Sequence, residues 1–328
     1  ELLSLKESSD NYDKFKSLYS EKLLEETQKV VELQKDCGID VLVSGELNRD
    51  NYMSYVAEMV DGIKLLSMND LKEITTNLES FNKSLEEMDA ADNTMNSPIC
   101  YSKIDTTRRL NELEVYNFQK FIDRDYKVTL PSPYLLTRSM WLREITGKVY
   151  EGRKELGHDV VELLKNEIRH LVEEGVKIIQ IDEPILSEVV FTNEKADNSF
   201  YWGALSEKVK VDKELKFARE LLEPVLEEIR KHDEVLSIMH VCRGNWTTDE
   251  SVLLQGAYDK LGKFFDALDL DMLALEFSTP RAGEVEKLFS NNFLDTRVML
   301  GFGCVNPRSE VIETPEEIVA RVEEVLQF

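Results

Sequence analysis

Short apolar segments alternate with long amphipathic segments along most of the chain. Six short runs rich in β-branched and other apolar residues predict buried strands: IDVLVSGE, KVTL, VKIIQI, EVLSIM, DMLALE and RVMLGFG. Apolar residues at helical spacing predict helices over 11–36, 53–65, 147–175, 206–232, 249–267 and 312–327. Near-continuous apolar strands are typical of parallel sheets that are covered on both faces. The strand–helix alternation therefore predicts an α/β fold.

Polar residues follow these strands at their carboxyl ends, which is the layout of the active face of a (β/α)8 TIM-type barrel. A doubly wound sheet is the structural alternative. The chain has no G-x-G-x-x-G or P-loop pattern, so a nucleotide crevice is not expected. We expect residues 1–328 to form one catalytic barrel. Residues 67–97 are polar and weakly periodic, and they predict a surface insertion.

The charge balance narrows the classes of partner. The 64 acidic and 40 basic residues of the 328 give a net charge of −24. Such a chain is a poor match for nucleic acid, which needs clustered Lys and Arg, and for anionic membranes. No apolar run approaches the ~20 residues of a membrane helix, and no secretory signal pattern opens the chain. With four irregularly spaced cysteines, a reducing cytoplasmic location is expected.

The sequence MHVCRGNW holds the most informative candidate residues. His240 and Cys242 are two apart at the end of a predicted strand, so their side chains point the same way, and both are good zinc ligands. On its own, an H-x-C pair is more often a half-buried Cys beside a hydrogen-bonded His. Glu276 closes the next strand and would supply a third ligand, leaving a position for substrate as in catalytic zinc sites. The alternative for Glu276 is an ion pair, for instance with Arg281.

Two further acids end predicted strands. In IIQIDEPIL, Asp182 and Glu183 are consecutive, so at most one faces the barrel mouth. Asp182 is the better candidate because Pro184 ends the strand directly after Glu183. A carboxylate there suits a substrate ammonium, although both acids could instead cap the next segment or pair with lysines. Glu46 in VSGELNRDNY ends the first strand in the same way, with an ion pair to Arg49 as its alternative.

Several of these segments together resemble a known family. The VSGE strand, IIQIDEP, the H-x-C pair and the strand that ends in Glu followed by S-T-P-R are similar to the catalytic barrel of cobalamin-independent methionine synthases. The sequence motifs are most similar to those of the short, single-barrel members. The segments that carry this resemblance are GELNRDNYMSYVAEMVDGI, LPSP, HVCRGNW, LEFSTPRAG and GCVNPRSEVIETPEEI. The resemblance extends from about residue 20 to the last residue and is weakest over 67–97.

The resemblance implies a zinc ion bound by a His, a Cys, a Glu and a second Cys, and a methyl transfer to the thiol of homocysteine. His240, Cys242 and Glu276 match three of these ligands. The family's fourth ligand lies in an N-P-x-C-G segment, which we expect beyond Phe328; Cys304 matches a position where the family has no ligand. We also expect the first and last strands of the barrel to be missing from this chain.

Substrate binding follows from the same resemblance. Asp182 and Glu46 match the acids that bind the amino group of homocysteine. Ser132 in LPSP, with Trp141 or Trp246, is a candidate for the methyl donor's side of the mouth, although a tight turn and core packing explain these residues equally well. The donor is expected to be a methyltetrahydrofolate or a methylated corrinoid.

Three other functions stay open. The zinc-bound thiolate could belong to another small thiol that accepts an alkyl group. The protein could bind zinc or a thiol without turnover, as a partner of a methyl-donor protein. A relative of uroporphyrinogen decarboxylase would need no metal, and the H-x-C pair counts against it.

Overall fold

A computed structural model describes residues 12–49, 51–74, 96–191, 210–244, 254–307 and 309–328. Its strands are β1 (Ile63–Leu66), β2 (Ser97–Cys100), β3 (Lys127–Pro131), β4 (Ile178–Asp182), β5 (Leu236–Val241), β6 (Met272–Glu276) and β7 (Met299–Gly303). Strands β3 to β7 form a parallel sheet in sequence order, and β1 pairs with β2 in a separate antiparallel sheet. The predicted α/β fold with a parallel sheet is confirmed.

The helices alternate with the sheet strands as the sequence pattern predicted. They are α1 (Tyr12–Asp36), α2 (Val56–Met59), α3 (Met68–Ile74), α4 (Glu112–Phe118), α5 (Pro133–Met140), α6 (Arg153–Glu173), α7 (Ile185–Phe191), α8 (Val211–Arg230), α9 (Asp259–Asp266), α10 (Leu294–Arg297) and α11 (Pro315–Val325). Short 3-10 turns occupy Thr146–Lys148, Pro280–Ala282 and Val285–Phe289. Among the helices of the described ranges, none is both long and apolar enough to cross a membrane.

The parallel sheet has two different faces, because successive side chains of a strand point to opposite sides. One face carries fully buried aliphatic residues that belong to the main core: Val128, Leu130, Ile179, Ile181, Met239, Val241, Leu273 and Leu275. Helices α6 and α8 add buried apolar side chains to this core. The opposite face carries the polar residues Lys127, Thr129, Gln180, Asp182, His240 and Glu276. The candidate chemistry therefore lies on the face opposite the aliphatic core.

Among the described residues, the first predicted strand, IDVLVSGE, contributes a single bridge. Leu42 pairs in parallel with Tyr126, and its carbonyl oxygen accepts from the backbone N–H of Lys127 at 2.9 Å. This segment therefore lies beside β3, at the sheet edge remote from β7. Among the described residues no ladder joins the two edges, so closure of the predicted eight-stranded barrel is not seen.

The helix predicted over 53–65 is wrong. Only Val56–Met59 is helical there; the chain then turns at Gly62 and continues as β1. Gly62 has a φ of 97° and lies so close to the next layer that a Cβ would be 2.8 Å from the carbonyl oxygen of Lys103. The pairing of β1 with β2 joins segments about 35 residues apart, and local apolar spacing carries no signal for such a partner. Most of the predicted insertion, residues 75–95, lies outside the described residues.

Candidate functional site

The strand register brings the predicted site residues to one edge of the sheet. Asp182 is the partner of His240 across β4 and β5, and Glu276 is the partner of Gly303 across β6 and β7. Val241 pairs with Leu275, so Cys242 and Glu276 follow at the same level. Four predicted residues from three adjacent strands thus occupy the carboxyl end of the sheet, where α/β proteins bind their ligands.

Asp182 and His240 are in direct contact. The Nδ1 atom of His240 lies 3.1 Å from Oδ1 of Asp182, and the same oxygen accepts from Nε2 of Gln180 at 2.7 Å. The imidazole is about one-third exposed and the carboxylate is mostly buried. A carboxylate on Nδ1 leaves Nε2 as the ring nitrogen that can bind a metal ion, an arrangement that is common for histidine ligands.

Cys242 lies in surroundings that disfavour its thiolate. Burial is the largest cause, and the negative charges of Glu276 and Asp182 add to it, raising the pKa of the thiol to about 11. The backbone at Cys242 is held in place, because the hydroxyl of Ser187 donates to its carbonyl oxygen at 2.5 Å. At neutral pH this sulfur is a thiol unless a cation stabilises the thiolate.

Glu276 makes the ion pair that the sequence offered as its alternative. Its Oε1 accepts from Nη2 of Arg281 at 2.8 Å, and its Oε2 accepts from the backbone N–H of Arg243 at 3.2 Å. Arg281 is itself nearly buried and donates to the carbonyl oxygens of Arg243 and Leu254. Arg281 and the backbone of Arg243 therefore hold the carboxylate of Glu276 in a fixed orientation.

The side chains of His240, Cys242 and Glu276 carry the atoms that zinc prefers, but they lie too far apart to bind one ion. An imidazole nitrogen, a sulfur and a carboxylate oxygen on neighbouring strand ends are the atoms that zinc binds in proteins. In the part of the chain that is described, no three His, Cys, Asp or Glu side chains stand close enough to hold one ion. Cys304, one residue beyond the strand partner of Glu276, is partly exposed. The zinc site and its fourth ligand stay predictions.

Glu46 is the second predicted acid of the substrate site. It has a left-handed backbone, with a φ of 55°, and its side chain is about one-third exposed. Its Oε1 accepts from the hydroxyl of Thr129 on β3 and from Nη1 of Arg49 at 3.2 Å. The ion pair with Arg49 is thus present, and Arg49 in turn binds the buried Glu114. Its predicted contact with a substrate amine stays a prediction.

Ser132 is fully buried at the beginning of α5. Its Oγ accepts from the backbone N–H of Leu135 and donates to the buried carboxyl of Glu183. Burial raises the pKa of Glu183 to about 7. Consecutive acids do face opposite sides here: Glu183 packs beneath α5 while Asp182 faces His240. The substrate role predicted for Ser132 stays a prediction. Trp141 packs partly buried against the core, and Trp246 lies outside the described residues.

Sequence reasoning missed two residues that hold Asp182. Nζ of Lys127 donates to Oε1 of Gln180 at 2.7 Å, and Gln180 donates to Asp182. A signal was available: Gln180 precedes Asp182 by two positions, so the strand period places both side chains on one face. The role of Lys127 was visible only once the pairing of β3 with β4 was known.

About the first two thirds of the chain match a known protein family. Residues 5–216 match the family model for the cobalamin-independent synthase catalytic domain. The chain belongs to this family. His240, Cys242 and Glu276 lie after the residues that the family model matches.

Curated relatives are similar at low identity. The uncharacterized protein YxjG of Bacillus subtilis (strain 168) is 25% identical over 312 residues, which cover 93% of this chain and 74% of YxjG. A methionine synthase of Sulfurisphaera tokodaii is 25% identical over 293 residues, or 89% of this chain and 67% of that protein. A 5-methyltetrahydropteroyltriglutamate–homocysteine methyltransferase of Bacillus licheniformis is 22% identical over 98% of this chain, and only 34% of its own length is covered.

A solved structure supports the fold. A B12-independent methionine synthase from Shewanella sp. W3-18-1, in complex with selenomethionine, superposes with a TM-score of 0.67 at 18% identity. The match covers 93% of this chain and 76% of that chain. The parallel α/β architecture is therefore shared with that protein.

Proposed function

We propose that the protein is a zinc-dependent S-methyltransferase that transfers a methyl group to the thiol of homocysteine and yields methionine. The donor is a methyltetrahydrofolate or a methylated corrinoid. The observation that carries the proposal is the placement of Asp182, His240, Cys242 and Glu276 at one carboxyl edge of the sheet, in a chain of the cobalamin-independent synthase family.

The donor atoms support the metal. We propose Nε2 of His240, Sγ of Cys242 and a carboxylate oxygen of Glu276 as ligands. A bound zinc ion would supply the positive charge that turns a thiol into a nucleophilic thiolate at neutral pH. Binding requires Cys242 to lose its proton, which its high pKa opposes in the absence of a cation. Zinc affinity should therefore rise with pH.

The acids support an amino-acid substrate. Asp182 uses Oδ1 for both of its side-chain partners, and among the described residues its Oδ2 has none, so this oxygen can accept from a substrate ammonium. The side chain of Glu46 lies beside Thr129 of β3, the strand next to β4. An ammonium bound between carboxylates gains charge-assisted hydrogen bonds and fixes the position of the thiol.

Metal analysis combined with two cysteine variants tests the proposal. We expect about one zinc per chain, and we expect Cys242→Ser to abolish zinc binding and methionine formation together. Cys37→Ser is the matched control, because Cys37 is an exposed thiol after α1. The assay pairs homocysteine with each of the two donors in turn. Full activity in Cys242→Ser would contradict the zinc mechanism, and turnover only with a different thiol would contradict the assigned acceptor.

A further inference from the structure

A chain of hydrogen bonds crosses three strands on the polar face of the sheet. It begins at the ammonium of Lys127 on β3, passes through the amide of Gln180 and the carboxylate of Asp182 on β4, and ends at the imidazole of His240 on β5. The successive distances are 2.7, 2.7 and 3.1 Å. Gln180 is buried, and Lys127 is half-buried.

The chemistry of the groups gives this chain a direction. An ammonium only donates, so the amide oxygen of Gln180 must face Lys127. The amide nitrogen then faces Asp182 and donates to Oδ1. An ionised carboxylate only accepts, so His240 must donate to the same oxygen, and its proton must be on Nδ1. The lone pair of the neutral ring is then on Nε2.

Two opposed effects act on the charge of Lys127, and burial is the larger of them. Burial lowers the pKa of Lys127, whereas the carboxylates of Asp182 and Glu46 act on it to favour its charged form. The ammonium of Lys127 lies at the amino end of the polar face, and the carboxylates of Asp182 and Glu46 lie toward its carboxyl end. No other part of the proposed function uses Lys127 or Gln180.

We propose that Lys127 and Gln180 are positioning residues: they fix the orientation of the Asp182 carboxylate so that its Oδ1 accepts from Nδ1 of His240, and they thereby keep the imidazole in the tautomer protonated on Nδ1. The effect of this tautomer on zinc and substrate binding rests on the proposed function. The tautomer itself does not depend on that function. The expected result is an imidazole that presents Nε2 at the strand ends before any ligand arrives. Second-layer partners of this kind change metal affinity by about 10- to 100-fold.

The test reads the tautomer directly. The full chain, freed of metal with a chelator and labelled with ¹⁵N-histidine, gives ring-nitrogen NMR signals for only four histidines. A His240→Gln protein identifies the signal of His240. We expect the Nδ1–H form in the unmodified protein. In Gln180→Met, which conserves the side chain's length and removes its polarity, we expect a shift toward the Nε2–H form that free histidine prefers.

Further variants separate positioning from folding. Lys127→Met should shift the tautomer in the same direction, and Lys127→Arg should restore it, because a guanidinium also only donates. Lys216→Met, on the exposed surface of α8, is the matched control. If Lys127→Met does not fold, Gln180→Met decides alone. An Nε2–H tautomer in the unmodified protein, or an unchanged tautomer in Gln180→Met, would overturn the proposal.

Zinc affinity and kinetics provide the functional readout. We expect Gln180→Met to bind zinc about tenfold more weakly and to raise the KM for the amino-acid thiol about tenfold with a smaller change in kcat. A tautomer shift in a protein without methyl transfer would contradict the proposed function and support the positioning role. Normal methyl transfer with an unchanged tautomer would do the reverse.

Discussion

The hydroxyl oxygen of Tyr258 accepts a hydrogen bond from the backbone N–H of Glu276 at 3.3 Å. The same hydroxyl donates to the carbonyl oxygen of Val241 at 2.9 Å. Tyr258 is fully buried, and its ring packs against the guanidinium of Arg243 at 4.0 Å. One phenol thus joins the ends of β5 and β6 at the level where Cys242 and Glu276 project.

Removal of this hydroxyl should loosen both strand ends. In Tyr258→Phe the ring keeps its packing, and the buried carbonyl of Val241 loses a donor, at a cost of about 1–2 kcal/mol in the free energy of unfolding. Because Cys242 and Glu276 follow these backbone groups, we also expect weaker zinc binding. Urea unfolding and zinc competition with a chelating dye measure the two effects.

The control for this variant is Tyr116→Phe. Tyr116 is largely exposed, and its ring lies under the ammonium of Lys120. Loss of its hydroxyl should change neither stability nor zinc affinity. If Tyr258→Phe unfolds and binds zinc like the unmodified protein, the phenol does not hold the strand ends.

The position of the site residues at the carboxyl ends of the strands could be predicted from sequence, because it depends only on where the parallel strands end. Parallel strands that begin together end together, so His240, Cys242 and Glu276 were expected at one edge before the register was known. The alternation of side chains along a strand likewise predicted that only one of Asp182 and Glu183 faces this edge. These inferences need only strand positions, which the apolar runs supplied.

The partners of those residues could not be predicted in the same way. Glu114 binds Arg49 across 65 residues, and Tyr258 binds the β5 and β6 ends from a loop before α9. Such contacts depend on how helices and loops pack over the sheet, and local periodicity does not encode that packing. For the same reason, β1 was mistaken for helix: its partner β2 lies beyond the insertion.

Arg49 should be essential for the fold around Glu46. Its guanidinium is nearly buried and forms a two-pronged bond with Glu114, with Nε to Oε2 at 2.9 Å and Nη2 to Oε1 at 3.0 Å. Arg49→Met would leave the Glu114 carboxylate buried and uncompensated. We expect a loss of about 3–5 kcal/mol in the free energy of unfolding, measured by urea denaturation.

Two variants calibrate this loss. Arg219→Met breaks an exposed pair with Glu223 on α8 and should cost no more than about 0.5 kcal/mol. Arg49→Lys keeps the charge and loses the fork, so an intermediate loss is expected. A cost for Arg49→Met equal to that for Arg219→Met would show that the buried pair is not needed for folding.

Glu183 should make stability fall as pH rises. Burial raises its pKa in the folded state to about 7, whereas an unfolded chain has a glutamate pKa of about 4.3. Between these values the folded state binds the proton more tightly, so its stabilising contribution is complete below pH ~4.3 and is lost as pH rises through about 7. The difference corresponds to roughly 4 kcal/mol. In Glu183→Gln the amide oxygen can still accept from the backbone N–H of Ile185, and the amide nitrogen can donate to Oγ of Ser132, which donates to the carboxyl in the unmodified protein; the amide does not titrate. We therefore expect the urea midpoint of the unmodified protein to fall more steeply between pH 5 and 8 than that of Glu183→Gln.

Glu324→Gln, on the exposed face of α11, is the control and should retain the full slope of the unmodified protein. Equal slopes in all three proteins would mean that Glu183 is ionised throughout this range.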